Sequence, residues 1–457
     1  MNNQKNIFKN SSVRTIAGQG LLQPEQIILI GKAIGKLLHE EFEEPCNILI
    51  ARDTRNSGLA IKEALVQGLT SYDHEIYDAG ICPTPFVAKA LTSYEQDNED
   101  DNDQDSDFDD EEIEDGFFAL GLVITASHNT PEYNGIKVLT EFGYLTEEIE
   151  LEISKIFHSL QEKEKPKVQS KVSDCIDIDL VSFYQEQLQE ELQTKTFENI
   201  SVTLDCSNGA TTAIAPKIFQ SLGFKVEAIN NTLDGSKINN SNLKDLLEEV
   251  QKNNTGWGIA FDGDGDRVHI IHRSGKIFDG DDLLVILSNH PNYQHEKNVV
   301  GTIMTNQGVI EYFQKKFKKC IRVQVGERNV IEALMNNQAM LGSETCGHIT
   351  FMDHAFCSDG IFAALLFFET ITKNPNSLNI SYPKYLQLHT TVPLYDKTID
   401  KKSINMIVSQ YPQHEMRIIV RPSNTEPVLR IMVEHKDKEK AELILEQLKN
   451  SFIKLVQ

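Results

Sequence analysis

Apolar and polar positions in this chain repeat one rhythm three times. A short β-branched apolar run ends in a polar, Gly-containing loop. The chain then passes into three- and four-residue spacing and closes on a second short apolar run. The stretches are 47–79 (NILIARDTRNSGLAIKEALVQGLTSYDHEIYDA), 200–229 (ISVTLDCSNGATTAIAPKIFQSLGFKVEAI) and 298–325 (NVVGTIMTNQGVIEYFQKKFKKCIRVQV). Their letters differ, so the likeness is one of architecture. Each reads as a strand–helix–strand unit, and such units imply mostly parallel sheets covered on both faces.

The last eighty or so residues keep a different rhythm. RIIVRPSNTEPVLRIMVE offers two alternating strands around a loop, and DKEKAELILEQLKNSFIKLV has the apolar spacing of a helix. This predicts a small α+β domain with a hairpin-type sheet. Joints are expected near 162–170, 272–282 and 372–384. The domains expected are therefore 1–163, 164–272, 273–381 and 382–457: three similar α/β domains with mixed or parallel sheets, then a C-terminal α+β domain.

Composition alters this picture at one place. The chain has 457 residues and a formal charge of −24, but residues 95–115 hold 14 of its 68 acidic side chains and none of its 44 bases. Without that tract the charge would be about −10, ordinary for an acidic protein. Too polar to offset its ordering entropy, the tract is expected to be a disordered, solvated insertion. Overall acidity argues against nucleic acid as a partner. No apolar run of about eighteen residues predicts a membrane span, and the first twenty residues lack a signal-peptide pattern. Seven scattered cysteines without a CxxC fit reduced thiols, so a cytoplasmic location is expected.

Three loops invite chemistry. In GIAFDGDGDRVHII (258–271), Asp262, Asp264 and Asp266 alternate with glycine directly after an apolar run. Three carboxylates this close repel one another unless a cation sits among them, and an all-oxygen set points to magnesium. An EF-hand is excluded, because its sixth position would be Arg267 and its twelfth Arg273. LGSETCGHI (341–349) sets Glu344 and His348 in a glycine-punctuated loop suited to a hydroxyl-rich ligand. RPSNTEPVLR (421–430) gathers Arg421, Ser423, Asn424, Thr425 and Arg430 around one turn, the donors a dianionic phosphate requires.

A fourth stretch, VITASHNTPEYNGIKV (123–138), places Ser127 beside His128. The hydrolase elbow G-x-S-x-G is absent. Neighbours on an extended loop tend to point apart, so the two are expected to make a poor nucleophile–base pair. With a metal loop and a phosphate cradle elsewhere in the chain, Ser127 is better read as the temporary carrier of a phosphoryl group.

In order, TASHNTPEYNGIK, DGDGDR, the Glu344–His348 loop and RPSNTEPVLR resemble the four signature loops of the α-D-phosphohexomutase superfamily, over nearly the whole chain. The resemblance implies four domains around a central cleft and a phosphate shifted reversibly between positions 1 and 6 of a hexose. It implies Ser127 as the phosphoserine, and one Mg²⁺ per chain held by Asp262, Asp264, Asp266 and a phosphoserine oxygen. Arg267 would lie near the transferring group. Lys137 and His128 would handle protons or stabilise charge, and Arg14 would face the phosphoserine. Glu344, Cys346 and His348 would read the sugar, while Arg421, Ser423, Asn424, Thr425 and Arg430 would grip the far phosphate.

VGERNVIEALMNNQAMLGSETCGHI is similar to the phosphoglucosamine mutase branch. This implies conversion of glucosamine 6-phosphate to glucosamine 1-phosphate through a hexose bisphosphate, with hexose 1,6-bisphosphate as activator and a monomer or homodimer as the working form. Glucose or mannose phosphate mutation on the same scaffold, or a non-catalytic sugar-phosphate binder, are the alternatives. The chain departs from that branch at Thr345 and Cys346, at Asn424, and at FKNSSVRT (8–15), where only Phe8, Val13 and Arg14 match the pattern.

Overall fold

The structure, a computed structural model, describes residues 5–456 except 10, 101–117, 170–174, 240, 396–398, 413–414 and 424–426; for 93–100 it describes the backbone alone. Each repeated stretch forms the expected unit. Asn47–Arg52 pairs in parallel with Glu75–Ile81, Ser201–Asp205 with Lys225–Ile229, and Asn298–Thr302 with Lys319–Val323. A helix lies between the two strands in every case: Gly58–Leu69, Ala215–Ser221 and Gln307–Lys315.

The first sheet adds Phe118–Ile124 parallel to Asn47–Arg52, then Tyr133–Thr140 and Ser12–Ile16 antiparallel beyond it. The second adds Trp257–Phe261 parallel and Val268–His272 antiparallel, and the third adds Leu341–Ser343 parallel and Ile349–Phe351 antiparallel. All three sheets therefore share one device: a buried parallel strand runs out to a loop and returns antiparallel beside itself. The loops at those three tips are 125–132, 262–267 and 344–348, the same three that carry the candidate chemistry.

The C-terminal unit is a three-stranded antiparallel sheet with Val428–His435 at its centre, backed by the helix Lys438–Val456. Its core, built on Leu429, Ile431, Val433, Leu448 and Phe452, is separate from the larger core that the first three sheets share. Among the described residues, no helix is long and apolar enough to cross a membrane. All seven cysteines are free.

Strand pairing moves two joints. Ile176–Asp177 pairs with Glu75–Ile81 in the first sheet although it lies beyond residue 163, and Ile277–Phe278 closes the second sheet although it lies beyond 272. Two-residue strands are too short to leave a readable alternation. The C-terminal sheet also gains Leu386–Pro393, an edge strand with a weak in–out pattern because only Val392 is buried and the rest are half-buried or exposed. The acidic tract is not irregular from its start, since the helix Thr84–Asp100 continues through residues 95–100. Residues 101–115 of the tract lie outside the described residues.

Candidate active site

The apolar strand Phe118–Ile124 delivers Ser127 to the end of the first sheet, where it is buried. Its backbone is left-handed, with φ of 48°, a conformation that a non-glycine residue holds only when its surroundings demand it. The Thr125 hydroxyl supplies part of that demand: it accepts the Ser127 amide at 2.8 Å and donates to Asp53 Oδ2 at 2.7 Å. Arg55 supplies the rest. Its Nε donates to Asp53, Nη1 to the Thr130 and Tyr133 carbonyls, and Nη2 to the Ser127 and Asn129 carbonyls, at 2.6–2.9 Å. All five guanidinium protons are used, and the side chain is fully buried.

This geometry corrects the expectation for Ser127 and His128. Because the backbone turns at Ser127 instead of extending, the two side chains meet, with Oγ 3.2 Å from His128 Nδ1. Desolvation inside the cleft, then the Arg267 and Arg14 cations, lower the His128 imidazole below its ordinary value. The residue as a whole is exposed, and the lowered imidazole is held neutral. Arg14 reaches the same loop from Ser12–Ile16, donating Nη1 to Asn129 Oδ1 at 3.1 Å. Its buried Nε has no partner among the described residues.

Trp257–Phe261 carries the aspartate loop to the same place. Ser127 Oγ donates to Asp262 Oδ2 at 2.6 Å. A Cβ on Gly263 would lie 2.5 Å from the Ser127 carbonyl, so only glycine lets the two loops approach this closely. Lys137 Nζ bridges Asp264 and Asp266 at 2.6 and 2.7 Å. Burial opposes its charge, but the two carboxylates outweigh burial and raise it far above an ordinary lysine. Lys137 is thus held as a cation between the two carboxylates. Asp262 has Arg267 Nε only at 3.9 Å, and burial with the like charges of Asp266 and Asp264 outweighs that cation and drives it well up.

These residues fit a magnesium ion. Oxygens of Asp262, Asp264 and Asp266 lie within 4.8 Å of one another, all three residues are buried, and the donors are uniformly hard. Asp264 Oδ1 is buried without a partner among the described residues, an acceptor left for a ligand.

The third tip closes on the second. Gly347, at φ of 105°, lets the loop fold so that its carbonyl accepts the Val268 amide at 3.0 Å. His348 Nδ1 sits 2.8 Å from Glu344 Oε2; its Nε2 sits 3.2 Å from Asp266 Oδ1 and 3.0 Å from Arg267 Nε. Glu344 Oε1 accepts the Gly326 amide at 2.8 Å, tying the VGER turn to the loop. Cys346 is exposed, its Sγ 3.6 Å from His348 Nδ1.

Arg421 and Arg430 lie on the C-terminal sheet and line a groove of about 630 Å³ with Met304, His389 and Thr391. Met304 follows the third-sheet strand Asn298–Thr302, so the groove lies between the third unit and the C-terminal sheet. The Ser423 amide donates to the Val428 carbonyl at 2.8 Å. Asn424 and Thr425 lie outside the described residues. Asp53, Arg55 and Thr125 escaped the sequence reading. The signal for Asp53 and Arg55 was present in the charged pair of ARDTR, at the C-terminal end of a buried parallel strand, and Thr125 opens the TASHN loop.

Known proteins share this order of four domains. Residues 5–164, 182–275 and 279–386 match phosphoglucomutase/phosphomannomutase alpha/beta/alpha domains I, II and III, and 414–451 match the C-terminal domain of that family. The chain is 34% identical to the phosphoglucosamine mutase of Thermotoga neapolitana, over 96% of this chain and 97% of that protein. A phosphoglucomutase/phosphomannomutase family protein from Burkholderia thailandensis superposes with a TM-score of 0.79 at 20% identity, covering 99% and 97% of the two chains. Aspergillus fumigatus N-acetylphosphoglucosamine mutase, solved with GlcNAc-6P and magnesium, superposes with a TM-score of 0.58 at 16% identity, covering 92% and 80%. With four domains matched in order and a relative aligned almost end to end, the chain belongs to the phosphoglucomutase/phosphomannomutase family of the α-D-phosphohexomutase superfamily.

Proposed function

We propose that this chain is a mutase that interconverts glucosamine 6-phosphate and glucosamine 1-phosphate, with Ser127 carrying the phosphoryl group. The observation that carries the reading is the 2.6 Å contact between Ser127 Oγ and Asp262, made by two loops from separate sheets and shared with the sugar-facing loop through Arg267 and His348. The assignment to glucosamine is supported by the Thermotoga neapolitana relative and by the VGER turn anchored to Glu344.

In this reading phospho-Ser127 gives its phosphoryl group to the free hydroxyl of a hexosamine monophosphate. The Ser127 Oγ–P bond breaks, a sugar O–P bond forms, and a bisphosphate results. The hydroxyl proton passes to neutral His128, which returns it to the Ser127 oxygen as that oxygen is freed. The bisphosphate reorients and gives its other phosphoryl group back to Ser127, leaving the isomeric monophosphate. Hexose 1,6-bisphosphate would prime an unphosphorylated chain by the same transfer.

Lys137, Arg14 and Arg267 surround the transferring group with fixed positive charge, which a loose phosphoryl-transfer transition state needs more than covalent help. Magnesium, when held by Asp262, Asp264, Asp266 and a phosphoserine oxygen at Ser127, would supply further charge neutralisation there. Glu344 and His348 hold the sugar hydroxyls. Arg421, Ser423 and Arg430, with Asn424 and Thr425, grip the phosphate that is not reacting.

The test is turnover of the pre-phosphorylated protein on glucosamine, glucose and mannose phosphates, with intact mass measured beforehand. Faster turnover on glucosamine phosphate supports the reading. Much faster turnover of either other sugar would overturn the choice of substrate, and failure to gain one phosphate on Ser127 would overturn catalysis itself.

A further inference from the structure

Cys346 turns the sugar-facing loop into a donor set of a second kind. A carboxylate oxygen of Glu344, Sγ of Cys346 and a ring nitrogen of His348 lie within 4.8 Å of one another, and His348 Nδ1 is 3.6 Å from Sγ and 2.8 Å from Glu344 Oε2. Sulfur, imidazole and carboxylate together form the ligand set of a borderline-soft divalent cation, unlike the all-oxygen aspartate loop beside it. We propose that Glu344, Cys346 and His348 form a zinc-class site, separate from the aspartate site, and that filling it blocks turnover.

The distances suit the ion. Metal–sulfur and metal–nitrogen bonds of about 2.3 and 2.05 Å subtend a tetrahedral S···N edge of about 3.5 Å. The observed separation of Sγ and Nδ1 is 3.6 Å. The Glu344–His348 contact, now a 2.8 Å hydrogen bond, opens to an N···O edge of about 3.3 Å, a small movement of one carboxylate. Cys346 is exposed, so the ion has a way in.

The surrounding hydrogen bonds are those a bound ion uses. A metal-ligating histidine typically donates its other ring N–H to a carboxylate, and His348 Nε2 has Asp266 Oδ1 at 3.2 Å. Arg267 Nε, which lies against the same nitrogen, has Asp262 and Asp266 at 3.9 Å as alternative partners. Glu344 is steadied through Oε1 by the Gly326 amide, leaving Oε2 for the ion. The site itself stands on this geometry; its inhibitory effect rests on the reading that Glu344 and His348 hold the sugar.

Cobalt(II) separates the two sites, since only a thiolate ligand gives an intense near-ultraviolet charge-transfer band. The full chain, saturated with Mg²⁺, is titrated with Co²⁺. One equivalent should raise that band, Zn²⁺ should abolish it, and Cys346→Ser should lower the affinity at least about tenfold and remove the band. No band, or a band that survives in Cys346→Ser, overturns the site. With each protein compared to its own zinc-free rate, Zn²⁺ inhibition should weaken at least about tenfold in Cys346→Ser. Inhibition that the substitution leaves unchanged overturns the regulatory role. None of these outcomes depends on which sugar phosphate the enzyme prefers.

Discussion

Arg421 and Arg430 face each other directly across the antiparallel pair Arg417–Pro422 and Val428–His435. Like charges in register weaken a sheet, here by up to about 1 kcal/mol, and burial with Arg430 opposite lowers the Arg421 guanidinium. A dianion between them removes that repulsion. Inorganic phosphate should therefore raise the melting temperature of the wild-type chain more than that of Arg430→Gln. The substitution should also raise the KM for sugar phosphate by roughly tenfold or more. Equal thermal shifts in both proteins would dissociate the pair from phosphate binding.

Replacing Ser127 removes the proposed carrier and little of the binding surface. Ser127→Ala should abolish turnover while sugar-phosphate affinity stays within about tenfold, roughly 1.4 kcal/mol. Calorimetric titration and a coupled assay on one preparation check both halves. Turnover near the wild-type rate would remove the serine from the mechanism.

Most of the fold was legible because its repeated unit announces itself by period. The apolar runs at 47–52, 201–205 and 298–302 are fully covered strands, and residues such as Ile48, Leu49, Val202 and Val299 sit within cores. The aspartate loop was legible because like charges packed so tightly call for a cation. What escaped depends on the third dimension. The left-handed turn at Ser127 is imposed by Thr125 and by Arg55, which lies 72 residues away from the serine in the chain. The meeting of Arg267 with His348 crosses 81 residues. Nothing in local spacing encodes either contact, whereas strand-then-loop patterning at 118–132, 257–267 and 341–348 already located the loops that make them.

Arg55 acts on Ser127 only through the loop backbone, so its substitutions separate positioning from folding. Arg55→Met leaves Asp53 buried without its charge partner and should cost about 3–5 kcal/mol of stability. Arg55→Lys keeps the charge but offers three donors where five are used. It should fold, bind sugar phosphate with near wild-type KM, and lose roughly a hundredfold in kcat as Ser127 drifts from its place. Wild-type kcat in Arg55→Lys would show that the guanidinium fork is not what positions the serine.

Asp264 is both an open acceptor and the partner of Lys137 and Thr84. Asp264→Asn should weaken magnesium binding and kcat together, by more than about tenfold each, because the loop loses a negative ligand and Lys137 loses half of its bridge. Mg²⁺ titration followed by calorimetry and by rate gives two independent curves. Unchanged metal dependence in both would count against the aspartate loop as the metal site.

In the proposed proton relay, His128 carries the pH-dependent step. Desolvation in the cleft and the Arg267 and Arg14 cations disfavour its imidazolium, so the folded state holds it neutral where the unfolded chain, near the ordinary value of about 6.5, has begun to protonate. Between the lowered folded value and about 6.5 the unfolded state binds more protons, so stability rises with pH across that window. The stabilising contribution is complete above about 6.5 and is lost on acidification through the folded value. His128→Gln should flatten this part of the stability profile. In the intact protein, the imidazole resonance that vanishes in His128→Gln should titrate below 6.5. A midpoint at or above that value would mean that the ring beside Ser127 is half-charged or more at pH 6.5, and the proton relay assigned to it would have to pass to another group.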